Sequence, residues 1–116
     1  MGGDHPDYII RRYVVEHGTD EHRNKLINDR DWFVRMNVAI HGNDAHRDKL
    51  ADDPDVYIRR DVVEHGTDEH RNKLVVDPSW IVRYNVVEHG NNSHRDKLIN
   101  DDDEDVRNAA VARRNV

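Results

Sequence analysis

His17, His41, His65 and His89 stand twenty-four residues apart, and so do His22, His46, His70 and His94. Imidazoles in two such columns offer metal ligation through a ring nitrogen, or proton transfer near neutral pH. Glutamate precedes the first histidine at Glu16-His17, Glu64-His65 and Glu88-His89 and would add a carboxylate to a metal site; the second unit has Ile40-His41 instead. A third column, Arg11, Arg35, Arg59, Arg83 and Arg107, presents guanidiniums able to grip carboxylates or phosphates through two N–H groups at once. Zinc or iron needs ligand nitrogens about 2.0–2.2 Å from one ion. Members of one column are separated by a whole repeat, about 10 Å at ordinary helix spacing. Only pairs within a unit, His17 with His22 or His65 with His70, are then candidate metal ligands. A residue present once per unit more simply does the unit's structural job. On that reading the His17 column sits at helix C-termini, where the backbone dipole favours a cation. The His22 column packs half-buried over Leu26, and the arginines bond Asp29, Asp53, Asp77 and Asp101 of the adjacent unit.

A fixed short period means one supersecondary unit copied and stacked. The units are 5–28, 29–52, 53–76, 77–100 and a shortened, capping 101–116, together one domain over 1–116. Units one and three share Val-Val-Glu-His-Gly-Thr-Asp-Glu-His-Arg-Asn-Lys-Leu, while two and four share Trp32/Trp80, so a block of forty-eight residues is the last duplicated. Asp7, Asp31, Asp55, Ser79 and Asp103 stand where an N-cap oxygen would accept unpaired backbone N–H groups. The first helix of a unit is expected from about Tyr8 to His17, with Ile10, Val14 and the next valine as its inward stripe. Gly18, Gly42, Gly66 and Gly90 are expected as left-handed C′ residues. Thr19, Asn43, Thr67 and Asn91 then cap a second segment near Asp20–Ile27, short enough to be α-helical or 3₁₀. No two-residue alternation suggests a strand. The expected fold is an all-α solenoid of five two-helix units, about 40–50 Å long at ordinary helix spacing.

Charged residues make up 36% of the chain and apolar ones 35%, a balance near that of disordered chains, but here the apolar residues recur at fixed places in every unit. A one-dimensional stack exposes much surface per residue and suits such a composition. No run approaches the roughly 18 apolar residues of a membrane span, and no charged-then-apolar leader is present, so a cytoplasmic setting is expected. Cysteine is absent, which excludes disulfides, thiolate zinc sites and iron–sulfur clusters held by this chain. A net charge of −6 argues against general affinity for nucleic acid or anionic membrane. There is no Gly-rich phosphate loop, no Gly-x-Ser-x-Gly elbow and no His-Glu-x-x-His.

Units such as Asp53-Pro54-Asp55-Val56-Tyr57-Ile58-Arg59-Arg60-Asp61-Val62-Val63-Glu64-His65-Gly66 resemble the leucine-rich repeat variant family, a relative of HEAT-like repeats. The resemblance runs from about residue 5 onward. It implies a right-handed superhelix in which α-helices alternate with short, often 3₁₀, helices. Two departures stand out: His-Gly replaces the family's Asn-Pro turn, and His22, His46, His70 or His94 replaces the first leucine of the second helix. The Glu-His pairs are also similar, in reversed order, to the His-Glu pairs of a di-iron HEAT-like hydroxylase. An enzyme with di-iron or zinc is therefore one alternative to a non-enzymatic scaffold without cofactor. The arginine column as an anion ridge, similar to that of DNA-binding HEAT-like glycosylases, is another, and the acidic balance opposes it.

Residues that break the pattern are better functional candidates: Tyr13, Met36, Ile40, Tyr84 and the turn Asn91-Asn92-Ser93. Trp32, Tyr57, Trp80 and Tyr84 are either core between units or exposed anchors of a binding face. At the N-terminal end, Tyr13 would pack on Met1–His5, or Tyr8 and Tyr13 would form a self-association surface that makes a homodimer. At the other end Glu104, Asp105, Arg113 and Arg114 make a polar cap. The expected function is noncovalent recognition of a protein partner through one face of the stack.

Overall fold

The structure is a computed structural model in which residues 7–114 are described. Among them the helices are α1 (Asp7–His17), α2 (Asp20–Leu26), α3 (Trp32–His41), α4 (Asp44–Leu50), α5 (Val56–His65), α6 (Asp68–Leu74), α7 (Trp80–His89), α8 (Asn92–Leu98) and α9 (Glu104–Arg114). Odd-numbered helices are the first helices of the units, and each packs directly on the next: α1 on α3, α3 on α5, α5 on α7 and α7 on α9. Each short even-numbered helix packs on the first helix of its own unit and on that of the next. The stack measures 56 × 23 × 21 Å, somewhat longer than the spacing predicts. Among the described residues no helix is long and apolar enough to cross a membrane.

Three rows of aliphatic side chains form the core. Val34, Ile58, Val82 and Val106 form one, Val38, Val62 and Val86 a second, and Val15, Ala39, Val63 and Val87 a third, all of them completely buried. The internal first helices each pack on a neighbour on both sides, so the core is shared between units.

The short helices are all α-helical. The family resemblance implies 3₁₀ turns here, and the capping explains the difference. Thr19 and Asn43 accept from the backbone N–H of His22 and His46, while those histidine rings reach back to the cap's own N–H. This is a capping box in which histidine takes the place of glutamate. It satisfies donors at both ends of the first turn and lets Arg23 N–H close an α-type bond on Thr19 O at 3.1 Å.

The glycines contradict the expectation of left-handed backbone. Gly42 has φ −78° and Gly66 φ −88°, and no glycine among the described residues has positive φ. Their role is space. A Cβ at Gly18 would stand 2.4 Å from Val14 O and 2.6 Å from His22 Nδ1. Glycine is required because the capping histidine ring folds against the end of the first helix.

Candidate functional site

The arginine column forms a clamp from unit to unit. Arg59 donates Nε to Asp77 Oδ2 at 2.8 Å, Nη2 to Asp77 Oδ1 at 3.2 Å and Nη1 to the carbonyl of Asp53 at 2.8 Å. Arg35 holds Asp53 and Arg83 holds Asp101 in the same way, each at 2.8 Å. Arg11 spans Asp29 and Asp31, both at 2.7 Å. Asp31 therefore begins α3 without a side-chain bond to the helix. Burial alone would raise the pKa of Asp101, but hydrogen bonds from Arg83 and the Asp103 backbone hold it below the usual carboxylate range. Arg107 spends Nη1 on the carbonyls of Asp101 and Asp102. Arg11, Arg35, Arg59 and Arg83 thus each hold a carboxylate of the following unit.

A second arginine row went unread in the sequence. Arg23, Arg47, Arg71 and Arg95 donate Nε to the carbonyls of Val15, Ala39, Val63 and Val87 at 2.8–2.9 Å, closing the C-terminal end of the first helix of their own unit. The signal was available, since arginine follows the second histidine in every complete unit.

The second histidine column is a joint between units. His46 Nδ1 lies 2.9 Å from the backbone nitrogen of Asn43, and Nε2 lies 2.6 Å from Asn24 Oδ1 in the preceding unit. His94 does the same with Asn91 at 3.0 Å and Asn72 at 2.6 Å, and His70 with Thr67 at 2.9 Å and Asp48 at 2.7 Å. A backbone N–H can only donate, so Nδ1 accepts and the proton of the neutral ring sits on Nε2. The expectation of half-buried rings over leucine is corrected at both extremes. His46, His70 and His94 are buried, and His22 is exposed.

In the first histidine column, His17 stacks on Tyr13 with ring centroids 4.3 Å apart, and His65 Nε2 lies 4.0 Å from Glu64. His17, His41, His65 and His89 are exposed. The candidate metal partners of that column, His22 and His70, spend their Nδ1 lone pair on a backbone N–H, at 3.0 and 2.9 Å. Among the described residues no group of three histidines and carboxylates is placed to hold a metal ion.

The aromatics expected as core or as binding anchors stand at the surface of the first helices, Tyr84 packing partly against the core. Trp32, Tyr57 and Trp80 are 44–46% exposed. Trp32 stacks on Phe33 at 4.4 Å, Tyr8 stacks on Phe33 at 6.2 Å, and Trp80 meets Tyr84 edge-on at 6.3 Å. Arg12 and Arg60 lie over Phe33 and Tyr57 at 5.7 and 5.0 Å. These side chains share one face of the first helices, where a groove of about 670 Å³ runs across α5, α7 and α9 between Arg60, Trp80, Ile81, Tyr84, Asp105 and Asn108. Beneath the face, Asn37 and Asn85 donate to the carbonyls of Phe33 and Ile81 at 2.8 and 2.9 Å. Asp61 fills the same row with one oxygen buried and unbonded. Tyr13 is the first member of that row and is exposed; its expected packing segment, Met1–His5, lies outside the described residues.

A family model described as the Pumilio-family RNA-binding repeat matches residues 13–29, 62–76 and 85–101. The matched stretches run from the end of a first helix through the following short helix, and together cover less than half of the chain. No curated protein matches the chain in sequence. A solved structure described as a leucine-rich repeat variant with a novel repetitive protein structural motif is similar with a TM-score of 0.83 and 29% identity, over 97% of this chain and 48% of that one. This chain thus spans about half the length of that structure. Its repeat length, its helices and a likeness that runs almost end to end lead to one conclusion: this is an all-α helical-repeat solenoid, similar in fold to a leucine-rich repeat variant.

Proposed function

We propose that the chain is a non-enzymatic scaffold that recognises another protein noncovalently through the aromatic face of its first helices. One observation carries the reading: Trp32, Tyr57 and Trp80 stand half exposed in a fold whose core is built from valine, isoleucine and leucine. Large aromatics beside arginines are the residues that most often dominate protein–protein binding energy. RNA is the second reading, favoured by the Pumilio-type match. That match follows the capping joint, however, and leaves Trp32, Tyr57, Trp80 and Tyr84 outside its three segments. The face also sets Arg12 and Arg60 against Glu16, Glu64, Glu88, Glu104 and Asp105, a poor surface for phosphates.

Affinity capture from the source cell with the wild-type chain and with the Trp32→Ala/Tyr57→Ala/Trp80→Ala variant tests the proposal. Proteins retained by the wild type and lost by the variant support it, with circular dichroism showing that the variant keeps its helices. Retention of mixed-sequence single-stranded RNA that weakens steeply with salt, with no protein lost, would transfer the function to RNA.

A further inference from the structure

On the aromatic face, the groove across α5, α7 and α9 is bounded on α9 by the small side chains of Asn108 and Ala109. Asn108 occupies the position that holds arginine in units one and three, Arg12 and Arg60. Both of those arginines lie over an aromatic ring of this face, Arg12 over Phe33 at 5.7 Å and Arg60 over Tyr57 at 5.0 Å. The groove keeps the rings of such an arrangement. Trp80 and Tyr84 stand in it at 86° to each other, and among the described residues no arginine lies over either.

Besides ring surface, the groove offers acceptors. Asn85 donates its amide to the Ile81 carbonyl at 2.9 Å, so the atom left for a ligand is the acceptor Oδ1. Asp105 adds a carboxylate on an exposed side chain. Arg60, at the α5 end, is engaged already, over Tyr57 and 3.8 Å from Asp61. Aromatic rings beside a carboxylate select a cation. A guanidinium fits better than an ammonium, because it stacks flat on a ring while donating several N–H groups in its plane. We propose that the groove receives an arginine side chain of the partner protein. Its guanidinium stacks on Trp80 beside Tyr84 and donates to Asp105 and Asn85, and its methylenes lie along Ile81. The inference rests on the reading of this face as a protein-binding surface and adds the residue that the face recognises. The net charge of −6 favours the approach of such a basic segment.

Titration of the full chain, followed by NMR chemical shifts, with blocked Gly-Gly-X-Gly-Gly peptides in which X is arginine, lysine or citrulline tests the inference. The arginine peptide is expected to move the Trp80 indole signal and the side-chain amides of Asn85 and Asn108, and to leave the Trp32 indole in place. Its dissociation constant is expected at about 1–10 mM, the scale of one side chain's contacts. Lysine is expected to bind roughly threefold more weakly, and citrulline, which keeps the shape without the charge, roughly tenfold. Asp105→Asn is expected to weaken the arginine peptide roughly three- to fivefold, as loss of an exposed charge pair does. Asn108→Arg restores in unit five the arginine of units one and three and is expected to abolish binding by filling the groove. Both positions are exposed, so neither change disturbs the core. No shift with the arginine peptide, equal shifts at Trp32, equal binding of lysine or citrulline, or undiminished binding in either variant would each overturn the inference. Proteins that affinity capture loses with the triple alanine variant but retains with Asn108→Arg would also overturn it, while leaving protein recognition by the face intact.

Discussion

His46 and Asn24, from successive units, meet at 2.6 Å, Nε2 to Oδ1, while the other nitrogen of the ring holds the first turn of its own short helix. The bond at Nδ1 needs the neutral ring, whereas Nε2 donates in either protonation state. A proton on Nδ1 would face a backbone N–H and break the cap. Burial pushes the pKa of His46 and His94 down, with Arg23, Arg47, Arg71 and Lys97 adding to the effect and Asp20 and Asp68 opposing it in part. A group depressed in the folded state binds its proton first in the unfolded chain. Its stabilising contribution is complete above the unfolded value of about 6.5 and is lost as pH falls through the folded value. The melting temperature is therefore expected to drop between about pH 7 and pH 5. A melting temperature that holds or rises over that range would show that the joint tolerates charge.

Asp61 works in the opposite sense. Its burial raises the carboxyl above the usual range, and Arg60 lowers it only in part. One oxygen has no partner, although row-mates Asn37 and Asn85 donate to a carbonyl from the same position. Asp61→Asn supplies the missing donor and removes a buried charge. The variant is expected to be more stable by about 1–2 kcal/mol at neutral pH, the cost of a buried unsatisfied polar group. The gain should shrink as acid protonates Asp61 in the wild type. Urea melts of both proteins at neutral and acid pH check the sign, and the variant also isolates the histidine effect above.

The solenoid was legible because a twenty-four-residue period leaves few ways to bury its apolar rows. Arg11, Arg35, Arg59 and Arg83 were legible as pairs with aspartate, since each aspartate follows its arginine by eighteen residues. The glycines were misread, because their frequent use as left-handed caps hid a steric role that needs the position of the His22-type ring. Exposure of Trp32, Tyr57 and Trp80 was not legible either. Aromatics near the start of the first helix in units one to four fit a core as well as a surface, and only the packing of the smaller rows decides between them.

Gly66→Ala separates the steric role from the left-handed one. The new Cβ would stand 2.5 Å from Val62 O and 2.6 Å from His70 Nδ1, so the ring must move and the capping box must open. A loss of about 2–3 kcal/mol is expected, in the range of overpacked cores. Gly66→Asn discriminates further. Asparagine tolerates left-handed backbone, yet here it brings the same Cβ and is expected to cost as much as alanine. An asparagine variant near wild-type stability, measured by urea melts, would restore the left-handed reading.

Arg59 and Asp77 test what joins the units. The carboxylate is nearly buried and takes two guanidinium bonds, so Arg59→Met leaves it without its cation. Breaking such a pair from one side costs about 3–5 kcal/mol when both members are buried, and somewhat less here because Arg59 stays partly exposed. Asp77→Leu alone should cost a similar amount. The double variant should cost less than the two single losses added together, since neither charge remains to be satisfied. Arg107→Met serves as a reference. Its guanidinium holds carbonyls at 2.9 and 3.2 Å rather than a carboxylate, and the expected loss is about 1 kcal/mol. If urea melts give Arg59→Met and Arg107→Met equal losses, the clamp between units contributes no more than an ordinary hydrogen bond. Cohesion of the stack would then rest on its aliphatic rows and histidine joints alone.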